Sequence, residues 1–343
     1  MKDNKNKIIS KNLGLQLLRT ILSFWVIIFH CCRVKNKILK KILIRSKLHV
    51  PTFMIISFYF LYPIISNRKI NKIKERIYRL YIPFLFYPLL IWMLNNLLYI
   101  LFKSNSFNKK ISIKELIIQL LVGRPIIPVL WFHCNLLVLT ILFTIFSLIF
   151  NKYFLILSEA LGILSYIIQY SGLNYKFFLK YQAPIQLSLG YIFEIIPISV
   201  TGFYIASIKL IEKLQKYKYS NLYLCINSLF FLIKYHSFND AKGFNFQGII
   251  KNLCSFLLFI FFTLLPFENL KNKLVISVIK HITSYTGGIY YIHIIARNYL
   301  KKNIRCINKG TFYGAILIYI LCYIICYIGN KIFGKTQLKH LFI

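Results

Sequence analysis

Arginine and histidine stand eleven positions apart in the first apolar run of the chain, Arg19-TILSFWVIIF-His30. At about 100° per helical residue, eleven steps turn about 1100°, within about 20° of a whole number of turns, and climb about 16 Å. Both side chains therefore project from one stripe of a helix. Histidine is the side chain that exchanges a proton most readily near neutral pH. A guanidinium can hold an anion or stabilise negative charge that develops during a reaction. Either group is costly within lipid unless a polar cavity receives it. A plainer explanation fits the same spacing: Arg19 snorkels to one head-group layer and His30 caps the span at the other.

A second cluster of chemistry-bearing residues follows the next apolar run. Glu75-Arg76-Ile77-Tyr78-Arg79 leads into Leu80-Tyr81-Ile82-Pro83-Phe84. Arg76 and Arg79 are three apart, so a helix presents both from one face at the membrane boundary. Paired guanidinium groups there could grip phosphate oxygens through forked hydrogen bonds; an ordinary basic interfacial loop explains them equally well. Trp131-Phe132-His133 and Tyr290-Tyr291-Ile292-His293 add two histidines near apolar boundaries. The chain holds only eight acids, and Glu159 and Glu194 alone lie in or near apolar runs. Few carboxylates are therefore at hand to orient or balance His30. Nucleophile-elbow, phosphate-loop, dinucleotide and zinc-protease patterns are absent from the sequence. The eight cysteines form no CxxC pair and mostly sit inside apolar runs, which reads as small buried side chains, and no metal is expected.

What must position these residues is a membrane domain. The hydrophobic fraction is 58% and the mean hydropathy +0.63, more apolar surface than a water-soluble core of 343 residues can hide. Apolar runs of membrane-crossing length fall at about 13–32, 50–66, 80–102, 128–150, 153–171, 185–208, 219–235, 250–267, 275–299 and 311–333. The expected fold is all-α, a polytopic transmembrane bundle of about ten helices. A tail at 1–12 precedes it and another at 334–343 follows. Segment 111–123 is too short and charged to span; Ile111, Leu116, Ile117, Leu120 and Leu121 share a stripe that would lie on the membrane surface. The first run carries Arg19 and ends in His30-Cys31-Cys32-Arg33, without the small residues of a cleavage site, so it reads as a retained helix.

The net charge of +36 is spread over short breaks between apolar runs, which suits lipid head groups. Nucleic acid has only the net charge in its favour and is not expected as a partner. Lys and Arg divide almost evenly between the two sides of the ten-span scheme, so the positive-inside rule assigns no orientation.

Taken in order, these segments resemble the acyltransferase-3 family of membrane-bound acyltransferases. Leu15-Gln16-Leu17-Leu18-Arg19 running to His30 is similar to its opening helix, and Val50-Pro51-Thr52-Phe53-Met54-Ile55-Ile56-Ser57 to its second. Arg76-Ile77-Tyr78-Arg79 resembles its short arginine motif. Leu130-Trp131-Phe132 and Gly288-Ile289-Tyr290-Tyr291-Ile292-His293 resemble later landmarks. The resemblance implies transfer of an acyl group, commonly acetyl from acetyl-CoA, to a hydroxyl of a glycan or related acceptor. His30 would be the general base. Arg19 would hold the donor or stabilise developing negative charge, and Arg76 and Arg79 would meet the CoA phosphates. It further implies a multi-pass protein of the cytoplasmic membrane with both termini in the cytoplasm. Gln16 stands where the family has an acid, and Thr20 and Phe58 where it has glycine; Gln16 cannot act as a carboxylate, and Phe58 would narrow the site or change the acceptor. A transporter, flippase or polymerase for lipid-linked saccharides is the rival reading and predicts arginines scattered over several spans. A non-catalytic membrane scaffold predicts that His30 is dispensable.

Overall fold

The computed structural model describes residues 13–33, 47–102, 110–123, 126–127, 129–170, 183–216, 223–224, 226–227, 246–265, 272–301 and 304–343. Every regular element among them is helical. That follows from the solvent: in hydrocarbon each backbone N–H and C=O must be paired within its own segment or in a closed barrel. The longer elements are α1 (Leu13–Cys31), α2 (His49–Ser66), α3 (Ile70–Phe102), α4 (Ile113–Val122), α5 (Leu130–Phe150), α6 (Phe154–Tyr170) and α7 (Ala183–Ser207). After the short α8 (Leu210–Leu214) come α9 (Phe246–Leu264), α10 (Lys273–Ser284), α11 (Thr286–Leu300), the short α12 (Arg305–Asn308) and α13 (Phe312–Phe333).

Among the described residues, five stretches are long and apolar enough to cross a membrane: Leu13–Cys31, His49–Ser66, Ile70–Leu97, Leu130–Ile168 and Phe312–Phe333. The expectation of about ten spans is therefore not reproduced. Leu130–Ile168 contains a reversal. Asn151 takes φ +39°, and a turn of 3-10 helix, Asn151–Tyr153, follows it. The rings of Phe143 and Phe154 then lie 6.4 Å apart, where eleven residues of continuous helix would separate them by about 16 Å. Ile192–Ser207 and Gly248–Leu264 are apolar but shorter. The run at 219–235 and the polar loop at 236–249 fall largely outside the described residues, as does the tail at 1–12.

The expected single span at 275–299 is instead two helices that part at Tyr285. Lys273, Lys280 and His281 make the first half too polar for lipid, and Leu274, Val275 and Val278 on it are exposed. The second half carries Gly287 and Gly288 because backbone from the C-terminal segment lies against it. A Cβ on Gly288 would sit 2.6 Å from the Phe342 carbonyl oxygen, and one on Gly287 2.7 Å from that of Ile343. Residues 334–343 accordingly pack back on the bundle: a short helix, Gln337–Leu341, buries His340 and Leu341, and Tyr87 donates to the Leu341 carbonyl at 2.7 Å.

Segment α4 is a short, well-capped helix. Ser112 and Glu115 form a reciprocal capping box, and Gly123 closes it in the left-handed region at φ +74°. Leu116 and Gln119 are buried, whereas Ile113, Ile117 and Leu121 form an exposed apolar stripe. This is the face a surface-lying helix offers to lipid.

Close approach builds the centre of the bundle. Helix α7 crosses α2 at Gly202, where a Cβ would lie 2.7 Å from the Ile55 carbonyl oxygen and 2.9 Å from the Tyr59 nitrogen. Small residues let membrane helices meet at this distance. Phe58 fills the neighbouring space between Phe143 (5.7 Å) and Phe203 (5.3 Å). Its ring is thus part of the aromatic core, and the glycine that makes room for it stands on the facing helix.

Candidate active site

Helix geometry places Arg19 and His30 on one stripe of α1, and the neighbouring helices gather different partners around each. At the arginine end, Arg19 Nη2 donates to the Thr286 hydroxyl at 3.3 Å. One residue on, the Thr20 and Thr283 hydroxyl oxygens lie 2.9 Å apart, each 3.1 Å from the Gln16 carbonyl oxygen, so one hydroxyl donates to that carbonyl and the other has the choice of it or its neighbour. The break at Tyr285 makes this possible, because it brings the end of α10 and the start of α11 to the same level of α1. Thr20, standing where the resemblance has glycine, therefore ties α1 to α10. The Gln16 side-chain oxygen is buried without a partner.

Helix α3 begins at Ile70, so Arg76 and Arg79 lie within its first turns rather than in a loop. Arg76 Nη2 donates to the Ser57 carbonyl of α2 at 3.1 Å, and its Nε is buried without a partner. The charges of Arg19, Arg76 and Arg79 are within electrostatic reach of one another. Three guanidinium groups from two helices thus converge, with Arg79 exposed. Like charges brought together at one point repel, and an anion relieves that repulsion.

The other end of the stripe is built from imidazoles. His30, in the last turn of α1, faces His293 of α11 with ring centres 5.4 Å apart. His49, the first residue of α2, lies against Phe29 at 5.2 Å, within electrostatic reach of both His30 and His293. His293 is fully buried; its Nδ1 is 2.7 Å from the Tyr290 carbonyl and its Nε2 has no partner. Arg297, one turn further along α11, is the cation that His30 and His293 feel at this end. These histidines do not make a metal site: among the described residues no group of three His, Cys, Asp or Glu is arranged to hold an ion.

Arg19, Arg76 and Arg79, separate signals in the sequence, are joined by the fold into one cluster. His30 is not joined to that cluster and stands about 16 Å along α1 from Arg19. Glu194 is ion-paired with Lys251 of α9, whose charge reaches His49. His49 was not legible as a site residue, since it opens a helix after a basic segment and has no periodic partner. Arg297 could be noticed only as a charge inside an apolar run. His133 sits between the two ends, its ring 4.2 Å from Tyr291 and 4.9 Å from Tyr290, with a buried and unpartnered Nδ1. A cavity of about 420 Å³ lies between α10 and α13, lined by Ser277, His281, Ile282, Tyr319 and Tyr323 among others.

A family model described as an acyltransferase domain, acyltransferase-3, matches residues 12–331, nearly the whole chain. No curated protein matches, and no solved structure does.

Proposed function

The chain belongs to the acyltransferase-3 family, and on that premise we propose that it carries an acyl group, acetyl as the simplest case, from acyl-CoA to a hydroxyl of a glycan or related acceptor. It is a membrane acyltransferase by family and by its apolar helices. The donor and acceptor are our reading, and one observation carries it. Three arginines meet at one end of the α1 stripe, histidines meet at the other, and about 16 Å of helix lies between them.

That distance suits CoA. Thirteen bonds separate the inner phosphorus from the sulfur of the pantetheine arm. An extended chain advances about 1.2 Å per bond, so the arm reaches about 15 Å. Phosphates held by Arg76, Arg79 and Arg19 put the thioester beside His30. There the acceptor oxygen attacks the thioester carbonyl carbon while His30 removes its proton. The tetrahedral intermediate collapses with cleavage of the C–S bond, and the proton passes from His30 to the departing thiolate. Arg19 is too distant to stabilise the oxyanion, so its part is in donor binding.

The test is transfer from radiolabelled acetyl-CoA by the purified protein in detergent, comparing wild type with His30→Ala. Loss of transfer with CoA binding retained is the expected result. Equal transfer by both proteins would remove His30 from the chemistry.

A further inference from the structure

We propose that His293 positions His30, taking the place that a carboxylate holds in other histidine-based sites. The inference rests on the acyl-transfer reading above for its kinetic consequences, and on geometry alone for the pairing itself.

A general base works best when a second group fixes its tautomer and steadies the charge it acquires. Carboxylates usually do this, but the chain has only eight acids. Glu194 is taken by Lys251. What stands beside His30 is another imidazole. Its protonation can be worked out from its surroundings. A carbonyl oxygen only accepts, so His293 Nδ1, 2.7 Å from the Tyr290 carbonyl, must carry the hydrogen. In the neutral ring Nε2 is then a lone-pair acceptor, and this is the buried atom with no partner.

Two imidazoles joined edge to edge by an N–H···N bond of about 2.9 Å have ring centres about 5.2 Å apart. His30 and His293 are 5.4 Å apart, tilted by 39°. The ring-centre separation is close to that of a bonded pair; Nε2 has no partner as the rings stand, and a turn of the His30 ring would bring its N–H toward it. Catalytic hydrogen bonds are often incomplete before substrate arrives. With that nitrogen engaged, the other nitrogen of His30 bears the lone pair that the acceptor hydroxyl needs. His293 is fully buried behind His30 in this role, so it acts through His30 as a positioning residue. His49 and Arg297 also face this pair. Neither has a backbone carbonyl fixing it as His293 has among the described contacts.

Two measurements test the pairing. In ¹⁵N-histidine spectra of the intact protein in detergent, His293 should show the Nδ1–H tautomer, and His293→Leu should shift the His30 nitrogen resonances. Unchanged His30 signals would overturn the proposal, whether or not any acyl donor is accepted. In the transfer assay, His293→Leu should lower kcat on the order of 100-fold. The acetyl-CoA Kd should stay within about twofold, which a merely structural role would not separate. His293→Gln, whose Oε1 can accept from His30, should recover part of kcat, and added imidazole should recover part in His293→Gly. Full activity in His293→Leu would also overturn it. A wild type that transfers from no acyl-CoA while its His30 signals respond to His293→Leu would sink the donor assignment and leave the pair standing.

Discussion

Arg19 is tied to Thr286, the first residue of α11, seven positions before the His293 that faces His30. Helices α1 and α11 therefore run in the same direction, and each carries one arginine-end and one histidine-end residue. The two ends of the candidate site are set by a single helix pair, and α2 and α3 add His49, the Ser57 carbonyl, Arg76 and Arg79 around it.

If Thr286 aims Arg19 at the donor, its loss should affect donor binding and spare the chemical step. Hydrogen bonds involving a charged partner contribute about 1.5–3 kcal/mol. Thr286→Val should weaken CoA binding by about tenfold, near 1.4 kcal/mol. Thr286→Ser, which keeps the hydroxyl, should bind almost as wild type. Titration calorimetry with CoA reads this directly, and a drop in kcat at unchanged Kd would contradict the assignment of Thr286 to the donor end.

In the proposed reaction, charge at Arg76 and Arg79 would be the other half of donor binding. Replacing both with glutamate puts carboxylates where phosphate oxygens would rest, so CoA binding should fall by more than about 100-fold as attraction becomes repulsion. Raising salt should weaken wild-type binding as well, because Arg79 is exposed and screened. Binding that is indifferent to both would leave these arginines as head-group contacts.

Much of this arrangement could be read from the chain because helical periodicity is local. Arg19 and His30 share a stripe whatever surrounds them, and Arg76 and Arg79 share a face for the same reason. Their convergence with one another is tertiary and left no mark in spacing. The break at Tyr285 was hidden because glycine within an apolar run is ordinary in membrane helices. The backbone of Phe342 and Ile343, which lies on Gly288 and Gly287 just past the break, comes from more than 50 positions away. The packing of Phe58 was hidden for a related reason. A large ring in place of a small residue reads as a blocked site until Gly202 is seen across from it.

Gly202 should be among the least replaceable residues of the fold. A Cβ there meets two backbone atoms of α2 at 2.7 and 2.9 Å, and backbone in a helix cannot rotate aside. Gly202→Ala should cost about 1–3 kcal/mol through forced separation of α7 from α2, seen as a lower unfolding midpoint in detergent. An unchanged midpoint would mean that the two helices can slide apart freely.

The C-terminal segment should respond to pH through His340. Burial holds its pKa below the usual 6.5, with Lys339 and Arg79 acting in the same direction and Glu75 against them. A histidine whose folded pKa is depressed takes up protons more readily when released. Docking of residues 336–343 is therefore fully favoured above about pH 6.5 and is weakened as pH falls from there toward the folded value. Hydrogen exchange at residues 336–343 should accelerate, after correction for intrinsic rates, between pH 7.5 and 5.5. His340→Gln should remove that dependence, and if it does not, another group controls the segment.

On the proposed reaction, Arg297 would supply the cation that Arg19 is too distant to supply. The tetrahedral oxyanion of that reaction would form beside His30, and Arg19 is about 16 Å along the helix from there. Arg297 is the arginine whose charge reaches His30 and His293. A donor aimed at developing negative charge acts on the transition state more than on bound substrate. Arg297→Leu should lower kcat on the order of 100-fold while the acyl-CoA Kd moves less than about twofold. Arg297→Lys should keep part of the rate, since the charge survives but its geometry does not. The opposite pattern, weaker CoA binding at full kcat, would place the donor phosphates at the histidine end and reverse the direction in which the thioester enters.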